Sequence, residues 1–349
     1  MTTDSLCSER YAPQRDVAST ASAQAALGVL YLNSAEAERY LTANADHVLG
    51  VVCHGNEVTA NATGLPVASV AMPQLDHEPL VEIWKASERV LRGSSGSLVW
   101  SRGGDLLFGL YRQPPHEDGL ESGTYHAYQA IFSLLAEQQT PHLLRIWNYF
   151  SAINADDPDG MERYKHFCVG RYEAFAESAR LNTSDIPAAS AVGSHGGEFV
   201  LYFIAASRRG VAVENDRQVS AYNYPPQYGP RSPLFSRATQ LDWLPRRPLF
   251  ISGTASIIGH ASIYYDDAAQ QTREALNNIR RLLDLAYPGH ALPFALVRTL
   301  KIYVRHEKDL PAIRSQIEAV TGKAIPSIYL LADICRSELL LEIEAIAEE

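Results

Sequence analysis

Two stretches of this sequence pass through the same succession of element signals roughly 140 residues apart, and any fold must accommodate that repetition. In the first stretch, Leu106-Leu107-Phe108-Gly109 reads as a short buried strand. A run of helical period follows over 124–136, with Tyr125, Tyr128, Ile131, Phe132 and Leu135 on one face. Then come a strand over 143–150, an Asp/Pro/Gly turn after Asn154, a second helix over 161–179, the pair Ile186-Pro187, and a strand over 199–206. The second stretch repeats the order. It has a strand over 249–253 and a helix over 268–286 with Asp266 or Asp267 as its N-cap. A strand over 295–305 leads to a helix headed by Asp309 and Pro311 and closed by Gly322. Ile325-Pro326 then introduces strands over 327–331 and 339–347. Each stretch predicts an α+β unit, a mostly antiparallel sheet with helices on one face.

The expected division is therefore a first unit over 1–212, a connector over 213–248 and a second unit over 249–349. Residues before about 95 match nothing in the repeat and are read as an N-terminal extension of the first unit. The connector is crowded with Pro, Tyr, Gly and Arg. Flexible linkers are poor in tyrosine, and three tyrosines with two arginines between Val213 and Pro233 suggest a segment packed onto something, a binding loop at least as readily as a spacer.

Charge and motifs narrow the function by exclusion. Thirty Lys+Arg against forty Asp+Glu give −10, the wrong sign for a nucleic-acid binder that rests on phosphate neutralisation. A local arginine pocket for a small anion stays open, because charges more than about 8 Å apart are largely screened at physiological salt. Cys7, Cys53, Cys168 and Cys335 are scattered, with no CxxC pair, and the eleven histidines show no metal-ligand spacing, so no metal is expected. There is no GxSxG, P-loop, GxGxxG or HExxH motif. Gly193-Ser-His-Gly-Gly197 reads as a hairpin turn. A polar N-terminus and the lack of an apolar run near 20 residues predict a cytoplasmic protein that does not enter membranes.

Three strings carry a family likeness: Ser252-Gly253-Thr254-Ala255, then 270–279 (QQTREALNNI), then 342–347 (EIEAIA). They resemble the Rid (YjgF-type) proteins, which implies a chorismate-mutase-like sheet-and-helix fold for the last hundred residues or so. Rid proteins usually carry a substrate-binding arginine after the proline of the penultimate strand. Here Ser327 and Ile328 follow Pro326, so the likeness does not extend to imine deamination. Further strings span roughly 100–347: 145–149 (RIWNY), 162–171 (ERYKHFCVGR), 218–222 (QVSAY), 228–233 (YGPRSP) and 253–260 (GTASIIGH). Together they resemble the chorismatase family. This implies a cofactor-independent enzyme that removes the enolpyruvyl group of chorismate, a dianionic small molecule, as pyruvate. One branch of that family yields 3-hydroxybenzoate and another a dihydroxycyclohexadiene carboxylate by hydrolysis. A non-catalytic Rid-like protein that binds small carboxylic acids is the alternative of another class.

Cleaving an enol ether begins with a proton placed on its terminal methylene carbon, which needs a buried acid that keeps its proton near neutral pH. In 341–345 (LEIEA) the strand period puts Glu342 and Glu344 on one face, and the pattern alone leaves open whether that face is solvent or site. The resemblance singles out Glu342 as the acid. It also implies that Cys335 marks the 3-hydroxybenzoate branch, where the ring C4 hydroxyl is lost in an intramolecular rearrangement. For the carboxylates of the substrate the candidates are Arg231, helped by Gln218, Tyr222 and Tyr228, with Arg163 as a second clamp. Gly253 and Ala255 are small where a strand ends and could let a ring approach the backbone. Single-unit Rid proteins form trimers, so the oligomer is expected to be either a monomer or such a trimer.

Overall fold

The computed structural model describes residues 27–55, 64–114 and 116–349. The polar N-terminus and Cys7 lie outside the described residues. Residues 27–86 build a sheet of their own from β1 (Leu27–Asn33), α1 (Ser34–Asn44), β2 (Val48–His54), β3 (Val67–Val70) and β4 (Leu80–Ala86). Its order is β1-β4-β2-β3, antiparallel except for the parallel pair β2/β3. Asn33 starts α1 through a capping box, its side chain accepting from Glu36 N at 2.9 Å while the Glu36 carboxylate accepts from Asn33 N.

The second sheet comprises β5 (Leu91–Ser95), β6 (Leu98–Gly103), β7 (Leu106–Gln113), β8 (His142–Ser151), β9 (Ala188–Ser194) and β10 (Phe199–Ala206), with α2 (Gly119–Glu137) and α3 (Arg163–Glu177) between its strands. The third comprises β11 (Val211–Val213), β12 (Ala238–Gln240), β13 (Leu249–Thr254), β16 (Val297–Val304), β17 (Ser327–Leu331) and β18 (Leu341–Ala347), with α4 (Ala268–Ala286) and α5 (Leu310–Thr321); a short hairpin, β14 (Ile257–Ile258) and β15 (Ala261–Ser262), stands outside it. The orders are β5-β6-β7-β10-β8-β9 and β11-β12-β13-β18-β16-β17, with β8/β9 and β16/β17 the parallel pairs.

Without the two leading strands of the longer sheets, all three share one order: first strand, last strand, middle strand, parallel edge strand. The repeat read from the sequence thus has a third member in residues 27–86, where an extension of the first unit was expected. The connector also differs from expectation at its ends, because β11 and β12 pair and add to the third sheet.

Helix punctuation follows side-chain chemistry. Asp267, not Asp266, caps α4 by accepting from Gln270 N at 2.9 Å, and Gly322 ends α5 with φ of +66°. Asp309 sits at the N-cap of α5 but makes no capping bond there, and Pro311 in the first turn sets the start instead. The stripe of α4, including Leu276, Ile279, Leu282 and Leu283, is fully buried, at about 1.5–3 kcal/mol for each large side chain.

The helices of each unit cover the outer face of its sheet. The inner faces of the three sheets pack against one another around Trp84, Trp147, Tyr202, Phe250 and Tyr303. β8 is therefore buried on both faces from Leu143 to Phe150, apolar except for Arg145 and Asn148, which are buried with the rest. Three seams result. At the seam of first and third sheets, the segment 73–76 pairs with the free edge of β17: Leu331 N donates to Pro73 O at 2.9 Å, Leu75 N to Tyr329 O at 2.8 Å, and Tyr329 N to the Asp76 carboxylate at 2.9 Å. At the seam of second and third sheets, backbone bonds tie the two ends of β9 to the third unit, Ser236 N donating to Pro187 O at 3.0 Å and Gly193 N to Asp333 O at 2.8 Å, and side chains join the stretch between. Ala188 N donates to Thr239 Oγ1 at 3.0 Å, and Ala189 N to Ser252 Oγ at 2.9 Å.

Candidate active site

The seam between the second and third sheets buries the two carboxyls picked out from the sequence. β18 presents Glu342 and Glu344 inward, and both are only 5% exposed, so their face does not meet solvent. Glu344 is fully partnered. Arg145 Nη2 approaches its Oε1 at 2.9 Å, Tyr303 donates to the same oxygen at 3.0 Å, and Trp147 Nε1 donates to Oε2 at 2.7 Å. Burial opposes its charge, but Arg145 and Lys301 outweigh burial and hold the carboxyl below its ordinary range. Arg145 also donates to Ser190 Oγ at 2.6 Å, and Lys301 forms a second buried pair with Glu82 of β4 at 2.6 Å. Every sheet contributes to this network, so the polar centre of the molecule registers the three units against one another.

Glu342 has the opposite environment. No described residue hydrogen-bonds its carboxyl, and burial, reinforced by the negative charge of Glu344, pushes it up to about 8. One strand thus carries a carboxylate and a carboxylic acid two residues apart, which is how paired carboxyls divide roles in acid–base catalysis. Gly253 makes room for the acid. A Cβ at that position would lie 1.8 Å from Glu342 Oε1, and Gly253 N is itself held by Ser190 Oγ at 3.0 Å.

Glu342 opens on a cavity whose walls come from both units: Tyr164, Phe167, Cys168 and Arg171 of α3, Ser190 of β9, Leu234 and Phe235 of the connector, and Cys335 of the loop before β18. Burial raises the Cys335 thiol to about 12, helped by Glu342, and raises Cys168 to about 12 as well, so both remain protonated. Arg171 is 3% exposed, its Nε and Nη2 have no hydrogen-bond partner, and its guanidinium rests over Tyr128 at 5.1 Å and Phe175 at 5.4 Å. A buried guanidinium without a counter-charge is costly, and an anionic ligand would supply one. Arg237 is a second buried cation close enough to lower Glu342; its Nη2 holds Val219 O and Tyr224 OH, both at 2.8 Å, and its Nε is free.

Residues 82–205 match the family model for the N-terminal domain of FkbO/Hyg5-like chorismatases. A 3-hydroxybenzoate synthase of Streptomyces hygroscopicus is 37% identical over 315 residues, covering 86% of this chain and 91% of that protein. The chain belongs to the chorismatase family. A chorismatase of Streptomyces rapamycinicus is 38% identical over 311 residues, 86% of this chain and 92% of its own length. A chorismatase crystal structure superposes with a TM-score of 0.83 at 33% identity, covering 93% of this chain and 98% of that one.

Within this chorismatase-family chain, the residues picked out from sequence divide into two sets. Glu342, Gly253 and Cys335 come together at the cavity. The connector residues Gln218, Tyr222, Tyr228 and Arg231 are not among the residues that line it. Gln218 Nε2 donates to Ile257 O at 3.0 Å, while Tyr228 donates to His260 O at 2.7 Å and carries the Arg336 guanidinium on its ring at 4.0 Å. Tyr222 packs on the core beneath α2 and α3. Arg231 is exposed, over Tyr172 at 4.3 Å, and Ala255 is buried beside α4, its carbonyl accepting from Asn278. Arg163 is not brought to Glu342. It borders a different cleft, with its guanidinium engaged by Ser151 O at 3.1 Å and Asp157 at 2.9 Å. The arginine that α3 does turn into the cavity is Arg171. Its signal was present in the sequence, because Tyr164, Phe167, Cys168 and Arg171 fall at helical spacing on one stripe, and a charged residue on an apolar stripe is the anomaly to follow. Arg145, Arg237 and Ser190 carried no such signal.

Proposed function

We propose that this protein converts chorismate to pyruvate and 3-hydroxybenzoate, with the Glu342 carboxyl as the acid that protonates the methylene carbon of the enolpyruvyl ether. The observation that carries this reading is a carboxyl held protonated to about 8, facing a buried cavity that also contains an unpaired guanidinium. Enzyme, substrate and aromatic product agree with the naming of the relatives.

The residues divide the work as follows. Arg171 pairs with one carboxylate of the substrate, and Arg237 faces the other from the connector side. Glu342 gives its proton to the terminal methylene, which becomes the methyl group of pyruvate, and the positive charge that develops lies beside the carboxylate left behind. The ring C4 hydroxyl oxygen adds to that cationic carbon and its C4–O bond then breaks, so the oxygen passes with its proton from the ring to the pyruvate unit as a hemiketal hydroxyl, while the neutral Cys335 thiol donates a hydrogen bond to it; once the ring is aromatic, collapse of the hemiketal passes that proton to the C3 oxygen and frees pyruvate. Aromatisation releases a ring proton, and the Glu342 carboxylate is the base in place to take it, which restores the acid. Pyruvate and 3-hydroxybenzoate together contain every atom of chorismate, so no water is consumed. Walls of Phe167, Leu234 and Phe235 suit a reaction from which water is kept out.

The decisive experiment is incubation of the protein with chorismate and chromatographic analysis for pyruvate, 3-hydroxybenzoate and the dihydroxycyclohexadiene carboxylate. Equimolar pyruvate and 3-hydroxybenzoate support the reading. Release of the diene diol instead transfers the chain to the hydrolytic branch, and absence of pyruvate overturns the enzymatic reading altogether.

A further inference from the structure

A second cavity, of about 590 Å³, lies on the seam between the first and third sheets, where β1 and β13 begin and β4 and β18 end. Glu348, on its wall, is six residues along the chain from Glu342, about 20 Å at strand rise, so this cavity is separate from the one that faces the acid. Its floor is apolar, made by two rings set edge to face at 64°. Trp84 and Phe250, each 1% exposed, meet there with ring centroids 6.0 Å apart.

The rim carries an excess of positive charge in a chain whose net charge is −10. Arg246 and Arg298 both bind Glu348, at 3.0 and 3.1 Å, so the two guanidinium groups share a single carboxylate. Lys85 lies across Gly28, where a Cβ would come within 2.9 Å of its Cε, and no described residue forms an ion pair or hydrogen bond with its ammonium group. The turn that brings Arg246 to the rim is held in a conformation that a side chain resists, with φ of +63°, and is tied there by Glu349 N donating to its carbonyl at 2.9 Å. Strain of this kind persists where surrounding bonds over-determine it, often beside ligand clamps.

An apolar floor with a few cations converging on it is the composition of a small-molecule site. We propose that this cavity is a second binding site, for a small aromatic carboxylate whose ring packs against Trp84 and Phe250 and whose carboxylate takes the free ammonium of Lys85. The inference does not rest on the reaction proposed above.

Calorimetric titration of the full-length protein with benzoate tests it, on the wild type and on Lys85→Glu, Gly28→Leu and Arg171→Met. Lys85→Glu reverses the charge that the carboxylate would meet and should weaken binding at this site about tenfold or more, a loss of about 1.4 kcal/mol. Gly28→Leu fills the cavity and should remove binding by a different route, so the result does not hang on one variant. Arg171→Met empties only the cavity beside Glu342 and should leave this binding in place. Chorismate turnover should be unchanged in Lys85→Glu. No benzoate binding to the wild type, binding that persists when Arg171→Met is combined with Lys85→Glu and with Gly28→Leu, or binding that vanishes with Arg171→Met alone would each overturn the proposal.

Discussion

Glu342 and Glu344 project from the same face of one strand into the same buried centre, yet burial and its neighbour lift the first to about 8 while Arg145 and Lys301 hold the second below the ordinary carboxylate range. The divergence depends on partners rather than on exposure, which is equal at 5%. Glu344 is needed charged, because Arg145 is buried with it. Its charge in turn helps to keep the proton on Glu342.

If Glu342 is the acid, catalysis needs its protonated form. The value of kcat/KM should be level below about pH 8 and fall tenfold per pH unit above it, the sign expected for an acid raised to that range. Glu342→Gln keeps the shape but cannot deliver a proton to carbon, and should lower kcat by roughly 10²–10⁴. Near-full activity in that variant, measured as pyruvate release, rules out the assignment.

Glu344→Gln separates the two carboxyls. It removes the charge that raises Glu342 and leaves Arg145 unopposed, and both changes favour ionised Glu342, so the alkaline limb of the pH profile should move to lower pH. Breaking one side of a buried pair should also lower stability by about 3–5 kcal/mol, read from denaturant unfolding. A limb that stays in place, in a variant that still folds, would show that Glu344 does not set the proton affinity of Glu342.

The division of this site between two units explains what could be read in advance. Strand and helix order in residues 106–347 was legible apart from β9 and the short strands β11, β12, β14 and β15, because α2 and α4 carry strong periodic signals, and β10, α4 and β17 lie at the expected bounds. Residues 27–86 were not recognised as a third copy. Only two residues of α1, Ala37 and Leu41, are buried, and no second described helix stands between β2 and β3, so the landmarks that marked the other copies are missing. Glu342 was singled out by resemblance alone, since the strand pattern left open whether its face met solvent, and the structure buries it beside a cavity. Arg145 and Ser190 reach the candidate site only through a seam between strands distant in sequence, Ser190 touching Gly253 sixty-three residues away, and local pattern cannot report that.

Gly253 supports a steric prediction. Gly253→Ala puts a methyl where Glu342 Oε1 now lies, and the carboxyl must swing away, since the alternative is to displace the backbone of β13. Activity should fall at least tenfold through kcat, with a melting temperature lowered by only a few degrees, as expected for about 1 kcal/mol. Equal loss of fold and of activity, followed by thermal melts alongside turnover, would make Gly253 a packing residue only.

Cys335 should act as a neutral donor. With burial and Glu342 raising its thiol to about 12, alkylation by iodoacetamide at pH 7.5 should be far slower than for a free cysteine in the unfolded chain. Cys335→Ala removes the hydrogen bond to the departing C4 oxygen and should shift the product mixture from 3-hydroxybenzoate toward the diene diol. An unchanged ratio on the chromatogram would take the thiol out of the reaction.

The helix that carries Arg171 has a titrating anchor at its start. His166 in α3 bridges Glu121 of α2 at 2.9 Å and Asp159 of the preceding loop at 3.1 Å. Partial burial works against the charged ring, but the two carboxylates outweigh it and raise its pKa above the ordinary histidine value. A raised histidine stabilises the fold fully below its unfolded value, about 6.5, and loses that contribution as pH climbs through the raised folded value. The wild type should therefore melt higher than His166→Gln at pH 6, and the gap should narrow by pH 8.5, because glutamine offers the same carboxylates a neutral side chain at every pH. Thermal melts of both proteins at the two pH values provide the measurement. A gap that is the same at both would mean that His166 packs between α2 and the loop without its charge contributing.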